Sequence, residues 1–409
     1  MIRLRSFAAF AAALLGCSAE DAPADDAAGA LRLYPVPGCE SLDHTPCDVR
    51  AAACQTRLLA LAACLRGNEP GDLPPIEMIA KDEYARRMTE ALEASPRPEP
   101  DHEEVAFALL GLIPPDGFGT EALVAEAVEF VGGFYESDSK AITLVDAGQD
   151  LSERDWSALM VHEFIHLLQD REFPFADRHE QYVVSEDTWF ALRALTEGEA
   201  QFHGVRYLAS VSGFDPAKVP LGAFFASRIA RDESELVLSE APYLLAPYRF
   251  PYDWGGRYLE HIWRDGGLAA IHERFADPPT TTHALMSSET AEYILDFEPT
   301  TPAGTEAPAE WVLTHENTLG ALGTFLALGQ HHADADRSRS LALSWRGDRV
   351  LIYGAADDSG MTAVVWRLDF ADEASAASVA SALGASARAV GTRVTLAQCS
   401  GPVALDWAF

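Results

Sequence analysis

Six consecutive residues, Val161-His162-Glu163-Phe164-Ile165-His166, constrain this chain more than any other stretch. On a helix, two histidines at i and i+4 lie one above the other on the same face, so both imidazoles can reach one ion. Glu163, next to the first histidine, can lean toward a water held by that ion and accept its proton. The surroundings favour a helix. Ser152 with Asp155 can cap its start, and Trp156, Leu159, Ile165 and Leu168 supply an apolar stripe. The competing reading is a helix with two ordinary histidines. The apolar flanks weigh against it, because a site helix is buried.

A zinc centre needs a third protein ligand and an open position for water. The metzincin extension would place Gly three residues after His166 and His three later, but those positions hold Gln169 and Glu172. The alternative is a carboxylate on a following helix, expected over Asp187–Ser210. It contains Ala194-Leu195-Thr196-Glu197-Gly198-Glu199-Ala200. A glycine inside a strong helical pattern costs about 1 kcal/mol against alanine, so Gly198 is expected to permit close packing on the motif helix and bring Glu197 to the metal. Glu199 and Asp170 are candidates to orient the ligand histidines. His203, two turns past Glu197, reads as a helix histidine, and His331-His332 is too short a cluster for a metal site.

These residues resemble the gluzincin zinc peptidases. In the aminopeptidase N branch the ligand glutamate sits in a Leu-x-Glu-Gly-x-Ala setting, matched here by Leu195 to Ala200. The resemblance implies His162, His166 and Glu197 as Zn²⁺ ligands and Glu163 as general base. The spacer over 167–196 is longer than in that branch, and no Gly-Ala-Met-Glu-Asn substrate anchor is present. A closer likeness is to a little-characterised group of bacterial and archaeal exported zinc-peptidase-like proteins. It rests on Gly133-Phe134-Tyr135 with Ser139-Lys140, Leu168-Gln169-Asp170 after the histidine motif, Gly266-Gly267, Pro278 to Thr282, and Trp345-Arg346-Gly347-Asp348-Arg349. It covers about 130–390. His283 and Met286-Ser287-Ser288-Glu289 depart from that group's pattern on what is read as the substrate side. The resemblance further implies that a strand over Ala141–Val145 is a cleft edge that binds an extended peptide. It also implies a Tyr or His that stabilises the oxyanion, with Tyr207, Tyr252, Tyr258, His261 and His272 as candidates.

Charge narrows the partners. Lys+Arg is 30 and Asp+Glu is 63, a net −33, which opposes nucleic acid and electrostatic docking on anionic lipid. The N-terminus reads as an address. Basic Met1–Arg5 precedes an apolar Phe7–Leu15, too short to span a bilayer and suited to a signal peptide. Leu14-Leu15-Gly16-Cys17 looks like the bacterial lipobox, which implies lipidation at Cys17 and membrane attachment through that anchor alone. Residues 17–30 form an acidic tether. Cys39, Cys47, Cys54 and Cys64 suit an exported, disulfide-permitting compartment. They allow three pairings, and without a CxxC pair a metal site is disfavoured.

The expected fold class is α+β, with a mainly helical zincin-like domain carrying a β-hairpin and edge strand, plus a small C-terminal α+β module. The expected organisation is a signal peptide (1–16), tether (17–30), Cys-containing helical unit (31–68), Pro-rich acidic linker (69–104), zincin-like domain (105–300) and module (301–409). The linker carries one amphipathic piece, Glu77–Glu93. The module is expected to run from a helix at Glu316–Gly329 through strands at Leu341–Trp345, Val350–Tyr353 and Thr362–Phe370, a helix at Ala374–Leu383 and a strand at Arg393–Gln398. The function expected is a zinc peptidase acting on peptides or proteins. The alternative is a catalytically inactive lipoprotein that keeps the metal scaffold for binding or structure.

Overall fold

The computed structural model describes residues 10–11, 33–94, 101–146, 148, 151–174, 179–287, 299–303, 307–357 and 359–409. Cys17 and the tether lie outside the described residues. The fold is α+β: a mainly helical body with a small sheet, joined to a C-terminal five-stranded sheet. Among the described residues, no helix is long and apolar enough to cross a membrane.

The motif lies on the helix Glu153–Glu172. Ser152 and Asp155 close a reciprocal capping box at its start, which satisfies backbone donors that would otherwise be orphaned. Residues 157–169 are buried throughout, so this helix is a core element and not a surface one. The Glu197 helix runs over Glu186–Val211, with its own capping box from Ser185 and Thr188. It packs on the motif helix and on a long helix, Phe250–Ala276. That long helix changes direction at Gly267, whose φ of 65° favours a residue without a Cβ.

Gly198 does not do what the sequence suggested. A Cβ there would lie 2.5 Å from the Cα of Gly255 and 2.6 Å from its carbonyl oxygen. The glycine therefore opens a crossing with the Phe250–Ala276 helix, on a different side from the motif helix. One residue is about 100° of helical turn, so Glu197 faces the histidines while Gly198 faces Gly255.

The small sheet overturns two expectations. Ala141–Asp146 is not an edge strand. It lies between Val131–Glu136, its antiparallel hairpin partner, and Ile76–Ala80, which pairs with it in parallel from Ile76↔Ile142 to Ala80↔Asp146. Part of the expected linker is thus built into the sheet, and the rest of its amphipathic piece is the helix Lys81–Glu93. Val131–Glu136 carries a two-residue antiparallel pairing from Phe10–Ala11 on its other side, and Ile76–Ala80 is the terminal strand at the opposite end of this sheet.

The Cys unit is stapled as Cys39–Cys64 and Cys47–Cys54, one of the three possible pairings. The bridges hold the helix Ala52–Arg66, which packs on the motif helix. Cys399 is free and half-buried.

In the C-terminal module the antiparallel strand order is Trp311–Asn317, Trp345–Ala355, Thr362–Phe370, Arg393–Cys399 and Ala387–Val390. Leu341 ends the turn of a helix, Ala335–Ala342, rather than starting a strand, and the first and last of those five strands were not anticipated. The alternation of period two is clear. Val350, Ile352, Val364 and Trp366 face the main core, while Leu351, Tyr353, Ala363 and Val365 face a second cluster closed by Leu405 and Ala408. Asp348 sits at the junction with the helical body. Its carboxylate accepts from the backbone N–H of Leu319 and Gly320 and from the indole N–H of Trp345 and Trp366. Nearby, Asp187 accepts from the backbone N–H and hydroxyl of Thr282 at 2.8 and 2.6 Å. His283 hydrogen-bonds the Leu343 carbonyl and stacks on Trp345.

Candidate metal centre

Among the described residues, His162, His166 and Glu197 are the one group of His, Cys, Asp or Glu side chains whose ligand atoms gather closely enough to hold a metal ion, within 4.8 Å of one another. The two imidazole Nε2 atoms are 3.1 Å apart. Glu197 Oε2 lies 3.5 Å from His162 Nε2 and 3.4 Å from His166 Nε2. All three residues are buried. Neither Glu197 oxygen has a hydrogen-bond partner of ordinary geometry, and the same holds for both oxygens of Glu163. Buried carboxylates left this way are costly unless a cation compensates them. The donor set of two imidazoles and a buried carboxylate fits a divalent ion.

The electrostatics are those of a cluster arranged around positive charge. Burial pushes the Glu163 carboxyl up to about 8, with Glu197 adding to the rise and the backbone of Tyr135 opposing it. Burial also lowers His162, and His166 reinforces that. For His166 burial opposes the charge, but the Glu197 carboxylate outweighs it and raises the imidazole to about 9. Two ring nitrogens at 3.1 Å need a hydrogen or a cation between them. A proton on His166 serves in the bare cluster, and a metal ion displaces such protons when it binds.

The support behind His166 differs from the expectation. Its Nδ1 faces Gln169 Oε1 at 2.9 Å. The Gln169 amide nitrogen donates to Thr196 O at 2.8 Å and to Glu199 Oε2 at 2.9 Å. With both amide protons used, the amide oxygen must accept from His166 Nδ1, so the Nε2 lone pair is directed at the centre. Glu199 thus acts one step removed, through Gln169, and not on a histidine directly. Its other partner is Arg66, whose Nε donates to Oε2 at 3.0 Å.

Asp170 does not orient a ligand. It accepts from the Tyr135 hydroxyl and from Lys140 Nζ, both at 2.6 Å, and so fastens the hairpin to the motif helix. The same hairpin brings Gly133 beside Glu163. A Cβ on Gly133 would lie 3.5 Å from Glu163 Oε1.

Of the five oxyanion candidates, Tyr252 is the one whose ring lies against a ligand. It is nearly parallel to His162 at 6.2 Å, with its phenol pushed well above the ordinary tyrosine value by burial and then by Glu197. Tyr207 donates to the His44 carbonyl. His272 bridges Glu172 and the Arg66 carbonyl. Tyr258 is buried in the core, and His261 is half-buried on the same helix. His203 is fully buried 4.0 Å from Glu199 and is no ligand. His331 and His332 end the helix Gly320–His332, apart from the centre.

Three residues near the site were missed from sequence: Gln169, Arg66 and Arg193. Gln169 had a usable signal, since i+3 from His166 shares its face. Arg193 stands one turn before Glu197, with Nε 3.8 Å from Glu197 Oε1, and its i−4 spacing was equally legible. Arg66 had no local signal.

Comparison with known proteins reaches only the C-terminal module. Residues 311–403 match the family described as Domain of unknown function (DUF8575). No curated protein and no solved structure matches the chain. The matched segment contains Asp348 and both tryptophans that donate to it, and it lies outside the His162–His166–Glu197 centre.

Proposed function

We propose that the chain is a zinc-dependent peptidase, exported and held to a membrane by a lipid on Cys17. The observation that carries the zinc assignment is the triangle of donors. Tetrahedral zinc has bonds of about 2.0–2.1 Å to histidine nitrogen and carboxylate oxygen, which puts neighbouring ligand atoms about 3.3 Å apart. The edges here are 3.1, 3.4 and 3.5 Å. Two imidazoles and one carboxylate leave a fourth position for water or substrate.

When bound, zinc supplies Lewis acidity, which polarises the scissile carbonyl and makes a water acidic enough to attack near neutral pH. The remaining roles belong to side chains. His162, His166 and Glu197 hold the ion, with Gln169 fixing the His166 tautomer. Glu163, buried beside the centre and short of donors, takes the proton of the attacking water and returns it to the leaving amine. Tyr252, whose ring faces His162, is the residue to which this reading gives stabilisation of the developing oxyanion. Val131–Glu136, whose Gly133 lies beside Glu163, is in this reading the strand that pairs with an extended substrate, rather than the internal strand Ala141–Asp146.

Of the sequence departures, His283 is accounted for by structure, and Ser288 and Glu289 lie outside the described residues. His283 belongs to the junction with the C-terminal module. The two disulfides are in keeping with an oxidising compartment. The decisive experiment is turnover of a peptide library by the wild type and by Glu163→Gln. Wild-type cleavage that falls by about 10²–10⁴ in the variant, with metal retained, supports the peptidase. Cleavage unaffected by Glu163→Gln contradicts it.

A further inference from the structure

We propose that Arg66 is a positioning residue of the metal centre, so that the disulfide-stapled N-terminal unit completes the site rather than acting as a spacer in front of it. The inference rests on the metal-centre reading above.

Arg66 is the last residue of the helix Ala52–Arg66, and its side chain is fully buried. Its guanidinium reaches two elements that carry the ligands. Nε donates to Glu199 on the Glu197 helix at 3.0 Å. Nη1 donates to Glu172 and to the Leu168 carbonyl on the motif helix. The rings of Phe275 and Phe173 lie 5.3 and 5.9 Å from the guanidinium carbon, a packing that suits a planar delocalised cation.

The same Glu199 oxygen accepts from Arg66 and from Gln169. Hydrogen bonds in such a chain polarise one another. Arg66 therefore holds Glu199 in place, Glu199 holds the Gln169 amide, and the amide oxygen holds His166 Nδ1–H. Arg66 also offsets the charge of Glu199, which would otherwise be a third buried carboxylate beside Glu163 and Glu197. Asn68, in the same unit, accepts from Arg66 Nη1 at 2.6 Å and donates to Glu172 at 3.0 Å, which steadies the guanidinium. The unit's role is to bring one arginine to the bottom of the site. The Cys39–Cys64 bridge fixes the helix two residues before Arg66, and the Tyr34 N–H to Ser210 bond and the Tyr207 hydroxyl to His44 bond tie the unit to the Glu197 helix.

The test is zinc affinity by chelator competition on the purified full chain, with the visible spectrum of the Co²⁺-loaded protein as a second readout. Arg66→Met and Gln169→Leu should each weaken zinc binding by about 10–100-fold, the range found when a residue supporting a ligand is lost. Their effects should not add, because both break one relay, and both should shift the Co²⁺ bands. Leu58→Ala empties core volume in the same helix. It should lower Tm while leaving affinity within about twofold, since an aliphatic side chain makes none of the relay's hydrogen bonds. Wild-type affinity in Arg66→Met overturns the proposal, as does an equal loss of affinity in Leu58→Ala. If Arg66→Met fails to fold, Gln169→Leu decides, and wild-type affinity there overturns it equally. A wild-type chain that binds no zinc fails the metal-centre reading instead, before Arg66 is tested.

Discussion

Gly198→Ala separates two explanations of one glycine. On intrinsic propensity alone, alanine in the middle of a helix is better than glycine by about 1 kcal/mol, so the variant should be more stable. The structure demands the opposite sign. The added methyl would lie 2.5 Å from the Gly255 Cα and 2.6 Å from its carbonyl oxygen. Ordinary carbon contacts begin near 3.4–3.5 Å, so the helices Glu186–Val211 and Phe250–Ala276 must separate by about 1 Å. The obstruction is backbone on backbone, so no rotamer change relieves it. Overpacking of this kind costs about 1–3 kcal/mol, more where nothing can yield, and the propensity gain offsets only part of it. A net loss of about 1–2 kcal/mol corresponds to a Tm lower by about 2–8 °C in a domain of this size. Thermal unfolding followed by circular dichroism reads this directly. Because Glu197 adjoins Gly198, the shift should also loosen the donor triangle and weaken metal binding. A Tm equal to or above wild type would refute the close crossing of these two helices.

Other consequences follow from buried carboxylates away from the centre. Burial pushes the Asp187 carboxyl up to about 7, with the two Thr282 bonds opposing the shift. The folded state therefore keeps a proton that the unfolded chain gives up near pH 4. Stability should fall as pH rises from about 4 through 7, and Asp187→Asn should flatten that slope and raise Tm at pH 8 relative to wild type. Asp348→Ala strips four N–H donors of their acceptor. It should cost at least about 4 kcal/mol and expose Trp345 and Trp366, seen as a red shift in fluorescence; a change below 1 kcal/mol would show that water replaces the carboxylate. Reducing the two disulfides should lower Tm, since bridges of this kind contribute about 2–4 kcal/mol each, and an unchanged Tm would mean that the Cys unit is held by packing alone.

Much of the site was legible because its information is local. Two histidines one turn apart, a glutamate beside the first and a capping box ahead of them all lie within one helix. Glu197 was found through Gly198, although the glycine serves a different neighbour. Asp170 was misassigned because i+4 from His166 and i+3 both point the same way along the helix, and only Gln169 has an amide free to turn its oxygen to the imidazole. The strand Ile76–Ala80 was hidden in a Pro-rich acidic stretch, since its parallel partner lies far along the chain and leaves no alternation of its own. Leu341–Trp345 looked like a strand because the apolar positions of a helix end run straight into those of Trp345–Ala355. Arg66 was out of reach for a plainer reason. An arginine on a helix surface and one buried against Glu199 read identically until the partner helix is in place.

The most direct test of the account is the metal content of the purified chain, measured by mass spectrometry on wild type and on His162→Ala. The account predicts about one zinc per wild-type chain, and its loss in the variant at unchanged secondary structure. Wild-type protein without stoichiometric metal after zinc loading, or zinc retained in full by His162→Ala, would contradict it.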